Sequence, residues 1–364
     1  MVTIIGAGPV GSYLAYLLAK KGMKVKVFED HKEIGKPVQC TGLLTKSVEN
    51  LIKIKKEFLV NKTEQIKIIS NKNSVCINAE EFIVDRTKFD NHIYNKAIDA
   101  GANFFLGHRY ISNKKDVVEV KDLKNNRIKK IKTNILIGAD GPVSNVAKQN
   151  NLFKNRRFYA GLQARVKCKN NGNKYEVYLG SKFPGFFGWV VPENNDIIRI
   201  GVAAKQNVNK IFDQFVKQRA KNKKIINKQA GLIPIYSNKV QTQRNKVYLI
   251  GDAAAQVKAT TGGGIVPGMR CARILANSII DNNNNYETKW KRSIGLELMA
   301  HSKIRGMLDK FSDKDYDDLI SMIKKEKIRK ILGKESRDNP IMLMMKLLIN
   351  EPRFLRYAKF ILQF

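Results

Sequence analysis

Three glycines near the amino terminus are spaced as in a turn that binds a dinucleotide. Gly6, Gly8 and Gly11 form the pattern GxGxxG between an apolar run at residues 2–5 and a stretch with leucines at helical spacing. Such glycines permit a tight turn, close approach of the backbone to a pyrophosphate, and close packing of helix on strand. The amino end of the helix would offer free amides and a positive dipole to the phosphates. Glu29, which ends the second predicted strand, is placed to accept hydrogen bonds from a ribose.

Two later strand–turn–helix units extend this chemistry and favour FAD over NAD. Residues 134–150 are an apolar strand that breaks at a glycine and continues as a helix. In residues 246–279 a third strand is followed by Asp252, which can hydrogen-bond a ribityl hydroxyl, and by a glycine triplet at 262–264. Bare amides at the start of a helix suit a flavin carbonyl and the negative charge of reduced flavin. Three unrelated units of a doubly wound sheet would give the same element order but would leave the glycine triplet unexplained.

The composition indicates a folded chain with a strong positive charge. Its 364 residues suit two domains, or one large enzyme with an insertion, and 43% hydrophobic residues suffice for a substantial core. The 67 Lys and Arg against 32 Asp and Glu give a formal net charge of +35, which favours anionic partners. A composition bias of the whole proteome explains the lysines equally well, since they occur with abundant Asn and Ile. No RNA-binding motif accompanies them, so no nucleic-acid partner is expected.

The cysteines and histidines give no sign of a metal or disulfide site. The four cysteines are widely spaced without a CxxC pair, and the four histidines form no HExxH pattern. Met1 leads directly into the first predicted strand, and no apolar run approaches the ~20 residues of a membrane span. We therefore expect no metal and a cytoplasmic protein, with peripheral contact to the cytoplasmic face of the membrane left open.

The motifs together resemble a known family. GxGxxG, "GADG" (138–141) and "LIGDAA" (249–254), in this order, resemble the FAD-dependent oxidoreductases of the aromatic-hydroxylase fold. More narrowly, the chain resembles the geranylgeranyl reductases, especially the archaeal enzymes that saturate digeranylgeranylglycerophospholipids. Four stretches carry the narrower resemblance, and the segment 286–308 resembles the family's carboxyl-terminal helix. The four stretches are "IGKPVQCTGLL" (34–44), "VDRTKFD" (84–90), "PGFFGWVVP" (184–192) and "ATTGGGI" (259–265).

The resemblance implies FAD as cofactor and a set of residues that contact it. Cys40 stands at the family position next to the flavin, where its thiol would either donate a proton or pack on the ring. Arg86 stands at a position that contacts FAD, although an ion pair at the start of a helix is the alternative. The backbone of Tyr110 would contact the adenine. The full set expected to bind FAD is Gly6, Gly8, Val10, Gly11, Glu29, Cys40, Thr41, Leu43, Arg86, Tyr110, Asp252, Gly264 and Ile265.

The resemblance also implies a substrate and a reaction. Reduced flavin would deliver hydride to one carbon of an isolated alkene in an isoprenoid lipid while a proton reaches the other carbon. Phe186, Phe187 and Trp189 would form an apolar wall over the flavin, with prolines fixing the ends of their strand; the alternative is that they are core. The chain departs from the family pattern, which commonly has Tyr at position 187, an aromatic residue at 191 and Lys at 193. The electron donor is left open between ferredoxin, NAD(P)H and others.

The expected fold is α/β, in three parts. A discontinuous, doubly wound FAD-binding domain of the aromatic-hydroxylase type would comprise residues 1–64, 81–156 and 240–285. A mixed β-sheet substrate region would comprise 65–80 and 157–239, and 286–364 would form a helical carboxyl-terminal region.

The carboxyl-terminal segment 339–364 is apolar with interspersed basic residues. It would close a lipid tunnel, lie in a membrane interface, or pack on the core as an ordinary helix. In the membrane arrangement, Lys346, Arg353, Arg356 and Lys359 would meet anionic head groups, while the interleaved Leu347, Leu348, Phe354, Leu355 and Phe360 would enter the lipid.

Two rival functions remain open at this point. One is a flavin-dependent monooxygenase of the same fold, which would consume NAD(P)H and oxygen. The other is a basic protein that binds membranes or nucleic acid and retains FAD structurally.

Overall fold

The computed structural model describes residues 1–154 and 156–362 and divides them into two compact units. Unit 1 comprises Met1–Val38, Arg86–Arg157 and Pro234–Met299. Unit 2 comprises Gln39–Asp85, Phe158–Ile233 and the described residues from Ala300 onward.

Unit 1 is built around a six-stranded, mainly parallel sheet with the order β16-β17-β10-β1-β2-β6. Its central strands are short apolar runs buried on both faces, as parallel strands covered by helices require. A three-stranded antiparallel sheet, β7-β8-β9, belongs to the same unit. The strands are β1 (Val2–Ile5), β2 (Val25–Glu29), β6 (Asn103–Leu106), β7 (His108–Lys114), β8 (Val117–Asp122), β9 (Ile128–Lys132), β10 (Ile135–Gly138), β16 (Gln243–Arg244) and β17 (Val247–Leu249).

The helices of unit 1 follow the strands in the way the glycine turns predict. Helix α1 begins within the GxGxxG motif, at Pro9, and buries Gly11, Leu14 and Leu18, and α5 begins after the glycine triplet. The helices are α1 (Pro9–Ala19), α2 (Arg86–Asp99), α3 (Asn145–Gln149), α5 (Ile265–Ile280), α6 (Tyr286–Arg292) and the first part of α7 (Ile294–Leu308).

Unit 2 contains an eight-stranded mixed sheet with the order β15-β11-β14-β13-β12-β4-β5-β3. Its strands are β3 (Leu43–Thr45), β4 (Leu59–Ile69), β5 (Ser74–Val84), β11 (Phe158–Lys167), β12 (Lys174–Tyr178), β13 (Gly188–Asn194), β14 (Ile197–Ala204) and β15 (Ile225–Pro234). Its helices are α4 (Val208–Arg219), α8 (Asp313–Ile323), α9 (Glu326–Lys334), α10 (Pro340–Asn350), α11 (Lys359–Leu362) and the remainder of α7.

The predicted α/β class, with a doubly wound sheet, a mixed-sheet region and a helical carboxyl-terminal region, is confirmed. The boundaries of the compact units differ from the predicted domains. Residues 39–64 lie in unit 2, because β3 and β4 pair with β5 there. Residues 286–299 lie in unit 1, where Tyr286 and Trp290 are fully buried. Among the described residues, no helix is long and apolar enough to cross a membrane.

Candidate functional site

The three glycines of the GxGxxG turn have different physical requirements. Gly6 has φ +101°, and a Cβ there would lie 2.3 Å from the carbonyl oxygen of Ala139. A Cβ on Gly11 would lie 2.1 Å from the carbonyl oxygen of Gly6. Gly8 has an ordinary φ of −63°, and a Cβ there would meet no protein atom within 4 Å. The protein's own packing therefore requires glycine at positions 6 and 11, whereas at Gly8 it leaves open space where a pyrophosphate could approach the backbone.

Helix α1 begins at this open space with no side-chain cap on its amino end. Its first turn therefore offers backbone amides to an anion, as a phosphate site requires. Val10, in that turn, packs its side chain towards Gly251 and Gly268, where added Cβ atoms would lie 3.3 and 2.8 Å from it. Val10 thus joins the glycine turn to the segment that carries Asp252.

Glu29 is held beside the glycine turn at the end of β2. Its Oε2 accepts a hydrogen bond from the amide of Ala7 at 2.8 Å, and its Oε1 accepts one from the amide of His31 at 3.0 Å. The Nδ1 atom of His31 also lies 2.6 Å from Oε1. Each carboxylate oxygen has more than one acceptor site, so the oriented carboxylate can still accept from the hydroxyls of a ribose.

Asp252 lies in a 3₁₀ turn, Gly251–Ala254, beside the start of α5. A Cβ on Gly264 would lie 2.6 Å from Oδ1 of Asp252, so only glycine fits next to the carboxyl group. Burial of the carboxyl group away from water raises the pKa of Asp252 to about 6, and the positive charge of Arg86 opposes this rise. Gly264 caps α5 without a side-chain hydrogen bond, and Ile265 is the first helical residue. Their amides and the carboxyl of Asp252 fit the polar atoms of a flavin and its ribityl chain.

Arg86 and Tyr110 are both engaged within unit 1. Nε and Nη2 of Arg86, the first residue of α2, donate to the two carboxylate oxygens of Asp90 at 3.0 and 2.8 Å, so the ion pair considered as the alternative is present. Tyr110 is buried with Phe28 in an apolar cluster, and its hydroxyl donates to Oδ1 of Asn113 at 2.5 Å. Burial raises the pKa of Tyr110. The expected adenine contact of Tyr110 concerns its backbone, which lies in β7.

The remaining residues expected to contact FAD lie in unit 2. The side chain of Cys40 is half-buried, and its Sγ accepts from the amide of Gly42 at 3.4 Å. The hydroxyl of Thr41 donates to Oε1 of Gln163 at 2.6 Å. Leu43 begins β3 and packs against an apolar cluster that also receives Trp189. Unit 2 therefore joins the Cys40 loop, defined as residues 39–42, to the aromatic residues.

The three aromatic residues of the predicted wall are in contact but not equivalent. Phe186 and Phe187 stack with ring centroids 4.4 Å apart, and Phe187 meets Trp189 edge-on at 5.8 Å. Phe186 is only 1% exposed and also packs on Tyr159, whereas Phe187 and Trp189 are half-buried. Phe186 therefore belongs to the core, and the more exposed part, Phe187 and Trp189, is here called the aromatic wall.

A buried ion network beside the wall was not predicted. Glu193 accepts from Arg165 Nε at 2.7 Å and from Arg199 Nε at 3.0 Å, and Arg199 also donates to the carbonyls of Thr41 and Val84. Although burial opposes it, these two arginines hold the pKa of Glu193 below its ordinary value. The acid at position 193 therefore compensates the charges of two arginines.

The available sequence signal for this network was a polar residue inside an apolar strand. Arg199 interrupts "DIIRIGVAA" (196–204), and Gln163 and Arg165 interrupt the strand of residues 158–167. Within β13, Pro192 lies inside the strand rather than at its end, where the register shifts towards Asn194.

Comparisons with known proteins show which chains this one is similar to. The model of the family described as "FAD binding domain" matches residues 1–284. The chain is 27% identical to digeranylgeranylglycerophospholipid reductase 1 of Methanococcoides burtonii, covering 91% of this chain and 89% of that protein. It is 29% identical to the digeranylgeranylglycerophospholipid reductase of Methanocaldococcus jannaschii, covering 87% and 89%. A geranylgeranyl bacteriochlorophyll reductase-like protein of Thermoplasma acidophilum shares the fold, with a TM-score of 0.84, 22% identity and coverage of 99% and 98%.

Proposed function

The chain belongs to the FAD binding domain family, and on that premise we propose that it is a FAD-dependent reductase that saturates carbon–carbon double bonds of geranylgeranyl chains in membrane phospholipids. The observation that carries the proposal is the likeness to two digeranylgeranylglycerophospholipid reductases over about nine-tenths of each chain. The open glycine turn, which suits a pyrophosphate, and the apolar wall, which suits an isoprenoid chain, also support the proposal.

The residues of unit 1 fit the polar parts of FAD. The backbone at Gly8 and the first amides of α1 would hold the diphosphate, and the carboxylate of Glu29 would hold the adenosine ribose. Asp252 would hold the ribityl chain, and the amides at Gly264 and Ile265 would favour negative charge on the flavin ring.

Unit 2 would orient the alkene and supply the proton that it takes up. Reduced FAD, when bound, supplies a hydride for one carbon of the double bond. An isoprenoid chain has no hydrogen-bonding groups, so Phe187 and Trp189 would hold it by apolar contact, worth ~25 cal/mol per Å² buried, and exclude water. The half-buried thiol of Cys40 is the candidate proton donor to the second carbon, after which solvent would reprotonate the thiolate.

Mass spectrometry of lipids extracted from the protein as purified tests the proposed substrate. We expect partially and fully saturated digeranylgeranyl phospholipids, each step adding two hydrogens. Lipids that have gained oxygen, with NAD(P)H and oxygen consumed, would favour the monooxygenase instead. Bound FAD without any turned-over lipid would favour a structural flavin.

The carboxyl-terminal region presents a surface that differs in part from the one predicted. Leu347 and Phe354 pack inward against an apolar cluster, and Phe360 packs against another. Three of the four basic residues expected to meet head groups are paired with acids at 2.5–3.1 Å: Lys346 with Glu335, Arg353 with Glu351, and Arg356 with Asp318. Leu355, which was expected to enter the lipid, is 58% exposed. The other exposed apolar residues are Ile341, Met342, Met345 and Ile349, and these five residues are here called the tail face.

The tail face is the part of the chain that we propose docks on the cytoplasmic side of an anionic membrane. Residues 341, 345 and 349 recur at helical spacing on α10, and Ile349 is 78% exposed. The surrounding residues 324–364 contain eleven Lys and Arg against four Asp and Glu, which complements an anionic lipid surface. An enzyme whose substrate resides in the membrane must contact the lipid surface, and the tail face would make that contact.

Vesicle flotation with Ile349→Glu tests the docking proposal. We expect this change to reduce binding to anionic vesicles, while Ile128→Glu, at a 58% exposed isoleucine of β9, leaves binding unchanged. Equal binding by both variants, or equal binding to neutral and anionic vesicles, would contradict the proposal. A concentration-dependent dimer that Ile349→Glu disrupts would identify a second copy as the partner of the tail face.

A further inference from the structure

One buried glutamine joins two groups of residues that the proposed function needs. Gln163 lies in β11 and is 5% exposed. Its amide oxygen accepts hydrogen bonds from Nε1 of Trp189 at 2.9 Å and from Oγ1 of Thr41 at 2.6 Å. Trp189 belongs to the aromatic wall, and Thr41 belongs to the Cys40 loop. The wall and the loop therefore share a single acceptor atom.

The neighbours of Gln163 fix the orientation of its amide group. The indole N–H of Trp189 can only donate, so the amide oxygen rather than the amide nitrogen must face it. The amide nitrogen then donates to Oε1 of Gln229 at 2.7 Å. Each end of the side chain is thus assigned to one role, and rotation of the amide would place a donor against a donor.

The register of three strands gives the indole access to Gln163. Gly201 of β14 pairs with Gln163 of β11 on one side and with Trp189 of β13 on the other. A Cβ built on Gly201 would lie 2.4 Å from Cζ2 of Trp189. The missing side chain lets the indole lie across β14 and reach the glutamine on the next strand.

A second group holds the backbone of the same loop. Nη1 of the buried Arg199 donates to the carbonyl oxygen of Thr41, and Glu193 fixes Arg199 through its Nε. A Cβ on Gly231 of β15 would lie 3.1 Å from the carbonyl oxygen of Gln39, so this strand also packs closely on the loop. Thr41 is therefore held through its hydroxyl by Gln163 and through its carbonyl by an ion-paired arginine.

We propose that Gln163 is a positioning residue for alkene reduction, because its amide oxygen keeps the aromatic wall and the Cys40 loop in one relative arrangement. The proposal rests on the proposed function. An isoprenoid chain lying against Phe187 and Trp189 would then be presented to the Cys40 loop in a single register. Because Gln163 need not contact the substrate, its loss should lower kcat more than it raises KM.

Two substitutions of Gln163 separate positioning from packing. Gln163→Leu keeps the approximate volume but leaves two half-buried donors, of Trp189 and Thr41, without this acceptor. Gln163→Glu keeps both accepting interactions but adds a negative charge, and Gln229 must rotate its amide so that its nitrogen donates to the second carboxylate oxygen. We expect Leu to lower kcat about tenfold or more with KM changed by less than about threefold, and Glu to restore kcat to within about threefold of wild type.

Tryptophan fluorescence gives a readout that does not depend on turnover. The chain has two tryptophans, so subtraction of the emission of Trp189→Phe isolates the signal of Trp189. We expect Gln163→Leu and Gly201→Ala to shift this emission and Gln163→Glu to leave it close to wild type.

Two results would overturn the inference: wild-type kcat, KM and emission in Gln163→Leu, or equal loss of kcat in the Leu and Glu variants. A folded wild-type protein without reductase activity would instead refute the proposed function, and the role in alkene reduction with it. The fluorescence shifts would still report in that case whether Gln163 holds the indole.

Discussion

The cofactor region of unit 1 and the aromatic wall of unit 2 are positioned by different parts of the polypeptide. Around the GxGxxG turn, backbone atoms approach so closely that side chains are excluded, as at Gly6 and Gly11. Around Trp189, the fixed points are polar side chains on neighbouring strands, such as Gln163 and Arg199. The site around the GxGxxG turn depends on which residues lack a side chain. The site around Trp189 depends on hydrogen bonds between side chains that are distant in sequence.

Substitutions of two glycines in the same turn should have the largest and most contrasting effects. Gly11→Ala places a Cβ 2.1 Å from a backbone oxygen, so we expect unit 1 not to fold stably and the protein to be recovered without flavin. Gly8→Ala meets no protein atom within 4 Å, so we expect normal melting of the apoprotein with weakened FAD binding. Thermal melting and flavin absorbance of both variants provide the measurement. Normal FAD affinity in Gly8→Ala would contradict the pyrophosphate position.

Among substitutions near the aromatic wall, the largest loss of stability should come from Arg199. Arg199→Met removes a buried partner of Glu193 and the donor to the carbonyls of Thr41 and Val84. Breaking a buried ion pair by removing one partner costs about 3–5 kcal/mol. Lys62→Met, which removes an exposed pair with Glu80, should cost far less, because solvent screens the two charges. Chemical denaturation measures the free energy of unfolding of both variants. Equal losses would show that the buried network stabilises the fold no more than an exposed ion pair does.

Trp189→Ala should separate the aromatic wall from the core. Because we assign Trp189 to the substrate wall, we expect FAD to stay bound and alkene reduction to fall. Because Trp189 is half-buried, the loss of stability should be below the about 3–5 kcal/mol typical of a buried aromatic. Phe186→Ala, at a residue that is 1% exposed, should show that full loss of stability. Assays of turnover per folded molecule and melting of both variants test this. A collapse of stability in Trp189→Ala with normal turnover would show that Trp189 is core.

The smallest expected effect is a pH dependence of FAD affinity. The raised pKa of Asp252 means that the apoprotein retains a proton that the unfolded chain releases above its ordinary pKa of 3.8, so this group destabilises the apoprotein as the pH rises towards about 6. Because the carboxylate accepts hydroxyl donors best when ionised, FAD affinity should rise with pH up to about 6 and level off above it. Titrations between about pH 5 and 7 should show this rise in wild type and not in Asp252→Asn. The same pH dependence in both proteins would assign it to another group.

The backbone geometry around the GxGxxG motif can be inferred from the sequence more directly than the contacts of the aromatic wall. Gly6, Gly11 and Gly264 stand where a Cβ would collide, so glycine spacing carries the geometry directly. The shared hydrogen bond of Trp189 and Thr41 depends on strand register, which no local motif encodes.

Two further differences from the prediction have the same origin. Residues 39–64 adjoin the cofactor motif in sequence, yet β3 and β4 pair with β5 of unit 2. In the tail, apolar periodicity was present, but contacts with α8 and α9 residues decide which apolar side chains turn inward, as Leu347 does.

The central claim is that this chain transfers hydride from bound reduced FAD to an isoprenoid alkene. The most direct test is a single turnover without oxygen: the chemically reduced holoenzyme is mixed with vesicles that contain digeranylgeranylglycerophospholipid. Flavin reoxidation is followed by absorbance, and the lipid is analysed by mass spectrometry. The account predicts that reoxidation depends on the lipid and that two hydrogens are gained for each flavin oxidised. Flavin that stays reduced in the presence of the lipid, or becomes reoxidised without any saturated product, would contradict it.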